Sequence, residues 1–332
     1  MTTKEKVLAQ LLAAQPQPIS GQKIATQLGL SRNAVWKAIE DLRQAGYQID
    51  QQGRKGYHLV SVSQALDSQQ IKLYCQETFA DLQVATYDAV TSTNDLAKTF
   101  AQDQPGKTGL FIAKQQTQGR GRHGRQFFSG LDHGLYLSLV LNPQTDQLQD
   151  LPLYTLMAAA AMTQALENYQ SDGIRIKWIN DLFYGGKKVA GILCESIMDL
   201  ESQTVSALVI GIGLNLAGTF DQEDPAIQQV AGTLFGPKLP EDFNPNRLIA
   251  DFIHSLWHYH QAMSDRSFIP YYREKLLGLD QAVTYQKGGE TFQGVIRGIN
   301  EDGNLLIQDP SGQILTLFSG EIHFSSQQFA KS

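Results

Sequence analysis

The spacing of apolar positions divides the chain into stretches of different period. Near the start, Val7, Leu8, Leu11 and Leu12 recur at helical intervals, and Pro16 and Pro18 close that helix. Ser20 is placed to cap a second helix reaching Leu28, with Gly29 suited to the left-handed position that ends it. Ser31 caps a third, in which Val35, Ile39 and Leu42 share one stripe before Gly46. The period then falls to two, and Tyr47-Gln48-Ile49 and Tyr57-His58-Leu59 read as strands flanking the tight turn Gln51-Gln52-Gly53-Arg54-Lys55-Gly56. Two short helices joined through Gly29-Leu30-Ser31 and followed by a hairpin predict a winged helix-turn-helix over 1–62.

Residues 61–70 are polar and aperiodic and read as a linker. Strand-like runs follow at 84–88, 135–142, 174–179, 187–193 and 205–210, with helices at 153–169 (Ala-rich) and 248–263. This pattern predicts a mixed α/β core over 63–270, whose first residues, 63–70, belong to the linker. In the last sixty residues short strands at 283–285, 291–299, 304–308 and 314–318 alternate with Gly288-Gly289, Asp302-Gly303 and Pro310-Ser311-Gly312. These are hairpin signals, and they predict a small SH3-like β-barrel over 271–332.

Composition adds limits. At 332 residues, with 42% hydrophobic and 18% charged positions, an ordinary soluble protein of several domains is expected. No apolar run approaches the roughly 20 residues of a membrane span, and Met1-Thr2-Thr3-Lys4-Glu5-Lys6 is not a secretion signal. Two cysteines in unrelated settings, Cys75 and Cys194, point to a reducing cytosol and away from a disulfide frame or a zinc site. Charge is uneven: residues 1–62 carry +4 on a chain of −6, leaving −10 on the remainder. A basic module on an acidic body is the distribution of a protein whose end meets nucleic acid. Arg32, Asn33, Trp36 and Lys37 occupy the polar face of the third helix, facing base edges, and Arg54 and Lys55 occupy the wing. The alternative, a helical protein-interaction module, does not account for that asymmetry.

The loop Gly119-Arg120-Gly121-Arg122-His123-Gly124-Arg125 carries the chemistry. Its glycines let the backbone wrap closely, and its arginines supply permanent planar cations for phosphate or carboxylate. It satisfies Gly-x-Gly-x-x-Gly, yet Gln126-Phe127-Phe128-Ser129-Gly130 opens no helix, so a dinucleotide's pyrophosphate would have no helix N-terminus to meet. Ser92-Thr93-Asn94 either starts a helix or hydrogen-bonds a compact polar ligand. Arg175 and Lys177 project to one face of a strand, Asn180-Asp181 makes a turn, and Lys188 begins the returning strand. Gly211 and Gly213, on the way out of the 205–210 strand, permit close approach by a ligand. His254 and His258 stand four apart on a helix, but Phe252, Leu256 and Tyr259 explain that helix as packing.

Five segments in this order resemble one family: Ser92-Thr93-Asn94, the Gly119–Arg125 loop, Lys177-Trp178-Ile179-Asn180-Asp181, Lys188-Val189-Ala190-Gly191-Ile192-Leu193, and Gly211-Ile212-Gly213-Leu214-Asn215. The chain is similar throughout its length to the bifunctional biotin–protein ligases that double as biotin operon repressors. The resemblance implies a class II synthetase-like mixed core that makes biotinyl-5′-AMP from biotin and ATP. It implies transfer to a lysine of the biotin carboxyl carrier protein of a biotin-dependent carboxylase such as acetyl-CoA carboxylase. It implies catalysis by Lys188, Arg122 and Lys177, and a biotin site of Ser92, Thr93, Asn94, Gln116, Arg120, Gly121, Arg122, Lys188, Gly211 and Gly213. Nucleotide would meet Arg120, Arg122, Asn180 and Asn215, with Asp181 a candidate for Mg2+. Adenylate binding is implied to drive homodimerisation on operator DNA, without any membrane, in the cytoplasm. Two positions depart from the family pattern, which usually has proline at Ile179 and tryptophan at Phe127. A lipoate–protein ligase and a non-catalytic biotin sensor are the alternatives; the basic loop and DNA module disfavour the first, and retention of Lys188, Lys177 and Asn180 the second.

Overall fold

The structure is a computed structural model describing residues 2–15, 17–61, 65–129, 133–143, 150–170, 172–198, 204–287, 290–320 and 322–324. Residues 62–64 of the expected linker, the Gly288-Gly289 turn and the side chain of Arg54 lie outside what is described. The chain divides into two compact units, Met1–Tyr74 with Glu241–Leu248, and Cys75–Pro240 with Ile249–Ser332.

In the first unit, α1 (Thr3–Ala14), α2 (Gly21–Leu28) and α3 (Arg32–Gln44) precede a hairpin of β1 (Gln48–Gln51) and β2 (Tyr57–Ser61). The caps are the ones the sequence predicts. Ser20 Oγ accepts from the Lys23 N–H at 3.1 Å and Ser31 Oγ from the Ala34 N–H at 3.1 Å, and Gly29 adopts φ +64°. Val7, Leu8, Leu11, Ile24, Val35, Ile39 and Leu42 meet in one core. Gly56, at φ +107°, has no room for a Cβ against the backbone of Ile19 and Ser20, where Ile19 pairs with Tyr57 beside the wing. The linker expectation is corrected at its end: α4 (Ser68–Cys75) begins within it. Asp67 Oδ1 caps α4 by accepting from the Gln69 and Gln70 N–H groups at 2.8 and 3.2 Å. Gln70 is buried and accepts from Asn246 Nδ2 at 2.5 Å, so polar pairing, invisible to apolar periodicity, builds this segment.

The second unit is built on β3 (Gln83–Val90), α5 (Thr93–Asp103), β4 (Gly109–Gln116), β5 (His133–Leu141), α6 (Leu151–Glu167), β6 (Arg175–Lys177), β7 (Asp181–Tyr184), β8 (Lys187–Met198) and β9 (Val205–Ala217). The seven strands form a mixed sheet in the order β3-β4-β5-β9-β8-β7-β6, with only β3 and β4 parallel. Two strands run further than their apolar patterns predict. Glu195 lies inside β8, and Gly211, Gly213 and Asn215 lie inside β9 rather than in a loop leaving it. The glycines interrupt the apolar pattern without interrupting the ladder, because β5 pairs through Ser138–Gly211, Tyr136–Gly213 and Gly134–Asn215.

After α7 (Pro225–Val230), α8 (Pro245–Gln261) and α9 (Phe268–Glu274), five strands close the chain. These are β10 (Ala282–Lys287), β11 (Glu290–Ile299), β12 (Leu305–Gln308), β13 (Ile314–Leu317) and β14 (Ile322–His323). Their order is β13-β12-β11-β10-β14, and among the described residues no ladder joins β13 to β14. The predicted strands are present as an antiparallel sheet, with β14 as an addition too short for sequence patterning to reveal. The edge strand β6 is covered: the Ile176 N–H donates to Lys275 O and the Leu277 N–H to Ile176 O, both at 2.8 Å. Trp178 Nε1 donates to Gly303 O at 2.9 Å, tying the terminal sheet to the core of the same unit. Among the described residues, no helix is long and apolar enough to cross a membrane.

Candidate active site and nucleic-acid face

A cavity of about 360 Å³ opens where the ends of β3, β4 and β7 and the middles of β8 and β9 converge. One end is neutral and polar, the other cationic, and the Gly119–Arg125 loop spans both.

The neutral end starts at α5. Ser92 occupies the N-cap position but its side chain makes no capping bond. Ser92, Thr93 and Asn94 are instead buried, at 2%, 3% and 6% exposure, on the cavity wall. The triplet therefore both starts a helix and lines the cavity. Gln116 Oε1, at the end of β4, accepts from the Thr93 N–H at 2.8 Å and is 3.1 Å from Thr93 Oγ1. Behind them Ser138 Oγ stands 2.7 Å from Thr93 Oγ1 and 2.5 Å from Asn94 Oδ1. Asn94 Nδ2 donates to Glu195 Oε2 at 2.7 Å, and Glu195 is paired with Lys98 at 2.6 Å. Ser138, Glu195 and Lys98 escaped the sequence reading. Ser138 and Glu195 lie 44 and 101 residues from Asn94, and Lys98 lies 97 residues from Glu195.

The loop is a tight turn. The Gly121 N–H donates to Arg125 O at 2.7 Å and the Phe127 N–H to Gly119 O at 3.0 Å. His123 and Gly124 are consecutive left-handed residues, at φ 56° and 73°. The arginines diverge from this scaffold. Arg120 pairs with Asp95 of α5 at 2.8 Å, while Arg122 Nη1 donates to Asn180 Oδ1 at 3.2 Å. Asn180 is itself fixed to β8, donating through Nδ2 to Ile192 O at 3.1 Å and to Asp181 Oδ1 at 3.0 Å. Lys188 Nζ meets Asp181 Oδ1 at 2.8 Å, both side chains about three-quarters buried. The Lys188 ammonium also stands 5.6 Å over the Phe127 ring, and Lys177 lines the cavity near Phe183 at 5.8 Å. Asp181 is the one carboxylate among the described residues that line the cavity.

The glycines differ from their expected role. The space a Cβ would take at Gly211 is filled by the Asn94 carboxamide, and at Gly213 such an atom would lie 2.6 Å from Phe127. Both residues make room first for protein groups that form the wall. Asn215 does not reach the cavity; it is buried, at 4% exposure, and its Oδ1 has no hydrogen-bond partner among the described residues. Burial pushes the Cys194 thiol up to about 12, so it is no nucleophile at neutral pH.

On α3 of the first unit, Arg32, Asn33 and Lys37 are exposed, and Trp36 is 57% exposed, opposite the buried Val35, Ala38, Ile39 and Leu42. Lys55 is exposed on the wing. A tryptophan left this open has most of its surface free for a partner.

Comparison with known proteins follows the same division. Residues 87–215 match the Biotin/lipoate A/B protein ligase family, residues 3–58 an HTH domain, and residues 278–325 the Biotin protein ligase C terminal domain. The class is thus a ligase core between a helix-turn-helix and a small β domain. The Bifunctional ligase/repressor BirA of Bacillus subtilis strain 168 is 32% identical over 92% of this chain and 93% of its own length. That of Escherichia coli strain K12 is 30% identical over 93% of this chain and 94% of its own. Among solved structures, the biotin protein ligase from Aquifex aeolicus in complex with biotin and ATP matches 73% of this chain and 97% of its own, with 26% identity and a TM-score of 0.58. The chain belongs to the family of bifunctional biotin–protein ligase/repressors.

Proposed function

We propose that this chain activates biotin with ATP, transfers it to a lysine of biotin carboxyl carrier protein, and represses biotin genes as a DNA-binding protein when ligand is bound. One observation carries the ligase reading: a single cavity joins a buried hydrogen-bonding wall to a lining that carries Arg120, Arg122, Lys177 and Lys188. Biotin matches that division, with a polar ureido ring at one end and a carboxylate at the other.

In the first step a biotin carboxylate oxygen bonds to the α-phosphorus of ATP and the bond to pyrophosphate breaks. Two anions must be brought into contact, and fixed cations offset their repulsion in a partly dehydrated site. Arg122 and Lys188 are pre-positioned for this by Asn180 and Asp181, so little reorganisation is needed when charge develops. Lys177 extends the positive field along the triphosphate, and Arg120 adds to it on leaving Asp95, which holds it at 2.8 Å. In the second step the carrier's lysine nitrogen bonds to the acyl carbon, AMP leaves, and the amine gives up a proton. The Gly119–Arg125 loop closes over the mixed anhydride in the interval and keeps water from it.

Asn180 serves the nucleotide, whereas Asn215, buried short of the cavity, takes no part in holding it. Magnesium is held mainly by phosphates and water with one or two carboxylates, and Asp181, which also pairs with Lys188, is the carboxylate among the described residues that line the cavity. Asp181 would hold the ion, which would supply neutralising charge to the pyrophosphate leaving group. The DNA-binding face is Arg32, Asn33, Trp36 and Lys37 with the wing residues Arg54 and Lys55. Adenylate binding favours a homodimer, which sets two such faces on a palindromic operator. The terminal sheet is an SH3-like barrel in opened form, the domain boundaries fall at 62/63 and 270/271, and the protein acts in the cytoplasm. Incubation with ATP, biotin and a carrier domain, followed by blotting, tests the ligase reading; transferred biotin supports it. Transfer of lipoate instead, or of neither, refutes it.

A further inference from the structure

The carboxylate of Glu195 does not line the cavity, yet the hydrogen bonds that radiate from it determine what the cavity wall can recognise. A carboxylate only accepts. Its Oε1 takes the Lys98 ammonium at 2.6 Å, and its Oε2 takes Asn94 Nδ2 at 2.7 Å. Asn94 Nδ2 also donates, at the longer distance of 3.4 Å, to Leu193 O, so the amide is held with nitrogen toward Glu195 and Leu193 and oxygen toward Ser138. That oxygen also only accepts, so the single Ser138 hydroxyl proton lies on the 2.5 Å bond to Asn94. Ser138 Oγ is left as an acceptor 2.7 Å from Thr93 Oγ1. Two oxygens at that distance need a proton between them, and only Thr93 can supply it. The Thr93 proton goes to Ser138 rather than to Gln116 Oε1, which lies further off at 3.1 Å and already holds the Thr93 N–H at 2.8 Å. Thr93 Oγ1 then offers lone pairs to the cavity, while Gln116, anchored by its oxygen and by one Nε2 proton on Ser129 Oγ at 3.4 Å, offers the second Nε2 proton. An acceptor beside a donor reads a ligand whose N–H adjoins a carbonyl, as in a cyclic urea.

We infer that Glu195 is a positioning residue for biotin recognition: with Lys98 it sets the donor–acceptor direction of the Asn94–Ser138–Thr93–Gln116 chain. The inference rests on the biotin reading above. It predicts an unusual pattern in the isosteric variant Glu195→Gln. Lys98 still needs an acceptor, so the introduced amide turns its oxygen to Lys98 and its NH2 to Asn94. Asn94 flips, giving up its long 3.4 Å bond to Leu193 O to keep the 2.7 Å bond to residue 195, Ser138 donates to Thr93, and Thr93 now presents a proton where the ligand also presents one. If Lys98 is removed as well, the introduced amide is released to point its oxygen at Asn94 and the original direction returns.

The test measures biotin and ATP binding to the full chain by calorimetry, with thermal melting to confirm folding. Wild type is measured first: absence of biotin binding there sinks the functional reading itself. Given binding, E195Q should weaken biotin about 30-fold, the scale of a reversed buried hydrogen-bond chain, with ATP affinity unchanged. Adenylation kcat at saturating biotin should stay within about threefold, since no group in contact with the phosphate has moved. K98M alone should cost less than about fivefold, and K98M/E195Q should recover most of the lost affinity. Unchanged biotin affinity in E195Q, a parallel loss for ATP, or a double variant no better than E195Q would each overturn the inference.

Discussion

Lys188→Met separates the electrostatic account from simple binding. The ammonium is 2.8 Å from Asp181 and 5.6 Å from the Phe127 ring, and both partners of the ion pair are mostly buried. Methionine retains the aliphatic stem and removes the charge. Asp181 keeps the Asn180 amide at 3.0 Å, so its carboxylate is not orphaned. The stability cost should be about 1–2 kcal/mol, between the values for exposed and for buried pairs. The effect on chemistry is larger, because Lys188 lines the cavity in which the proposed reaction brings carboxylate and phosphate together. Removing one such stabilising group from a preorganised site costs about 3–4 kcal/mol of barrier, or 10²–10³ in rate. Single-turnover formation of adenylate from α-labelled ATP, under saturating biotin and ATP, reads this directly. The loss should appear in the rate rather than in half-saturation, and Lys188→Arg should recover part of it. A K188M rate within threefold of wild type would refute the reasoning.

Arg122→Ala should release the loop from Asn180 and raise hydrolytic loss of adenylate, measured as AMP produced without an acceptor; unchanged loss contradicts the shielding role. Gly213→Ala places a methyl 2.6 Å from Phe127, an overpacking worth about 1–3 kcal/mol, and should raise the biotin KM at least about tenfold in steady-state assays. Lys37→Ala should lower the salt dependence of operator binding by about one in log–log slope, and Trp36→Ala should weaken binding, in gel shifts that tighten with biotin plus ATP for wild type. Burial pushes the His260 imidazole down to about 4, so the unfolded chain binds its proton first. Its contribution, at most about 3 kcal/mol, is complete above pH 6.5 and lost as pH falls toward 4. His260→Gln should flatten that part of the pH–stability curve in denaturant titrations.

The winged module was legible because each boundary has a local cause. Ser20, Ser31 and Gly29 act within a turn of where they stand, and Val35, Ile39 and Leu42 repeat at the helical period. The cavity was legible in part for a related reason: Arg120, Arg122, Lys177 and Lys188 are cations set among glycines and strand ends, so their residue types alone raise the question of an anionic ligand. The remainder depends on long-range pairing. Nothing near Glu195 announces that it holds Asn94, and nothing near Ser138 announces Thr93. Glycine inside β9 looked like an exit from the strand, because single-chain patterning cannot see the Asn94 carboxamide or the Phe127 ring that need the space. Nor could residue type alone reveal that Asn215 stops short of the cavity.

The most direct test of the central claim is biotin-dependent exchange of labelled pyrophosphate into ATP, with no acceptor protein present. If the cationic loop and Lys188 join the two anions, exchange should require both biotin and the intact cluster, and collapse in K188M. Folded wild-type protein that catalyses no exchange, or exchanges equally without biotin, would contradict it.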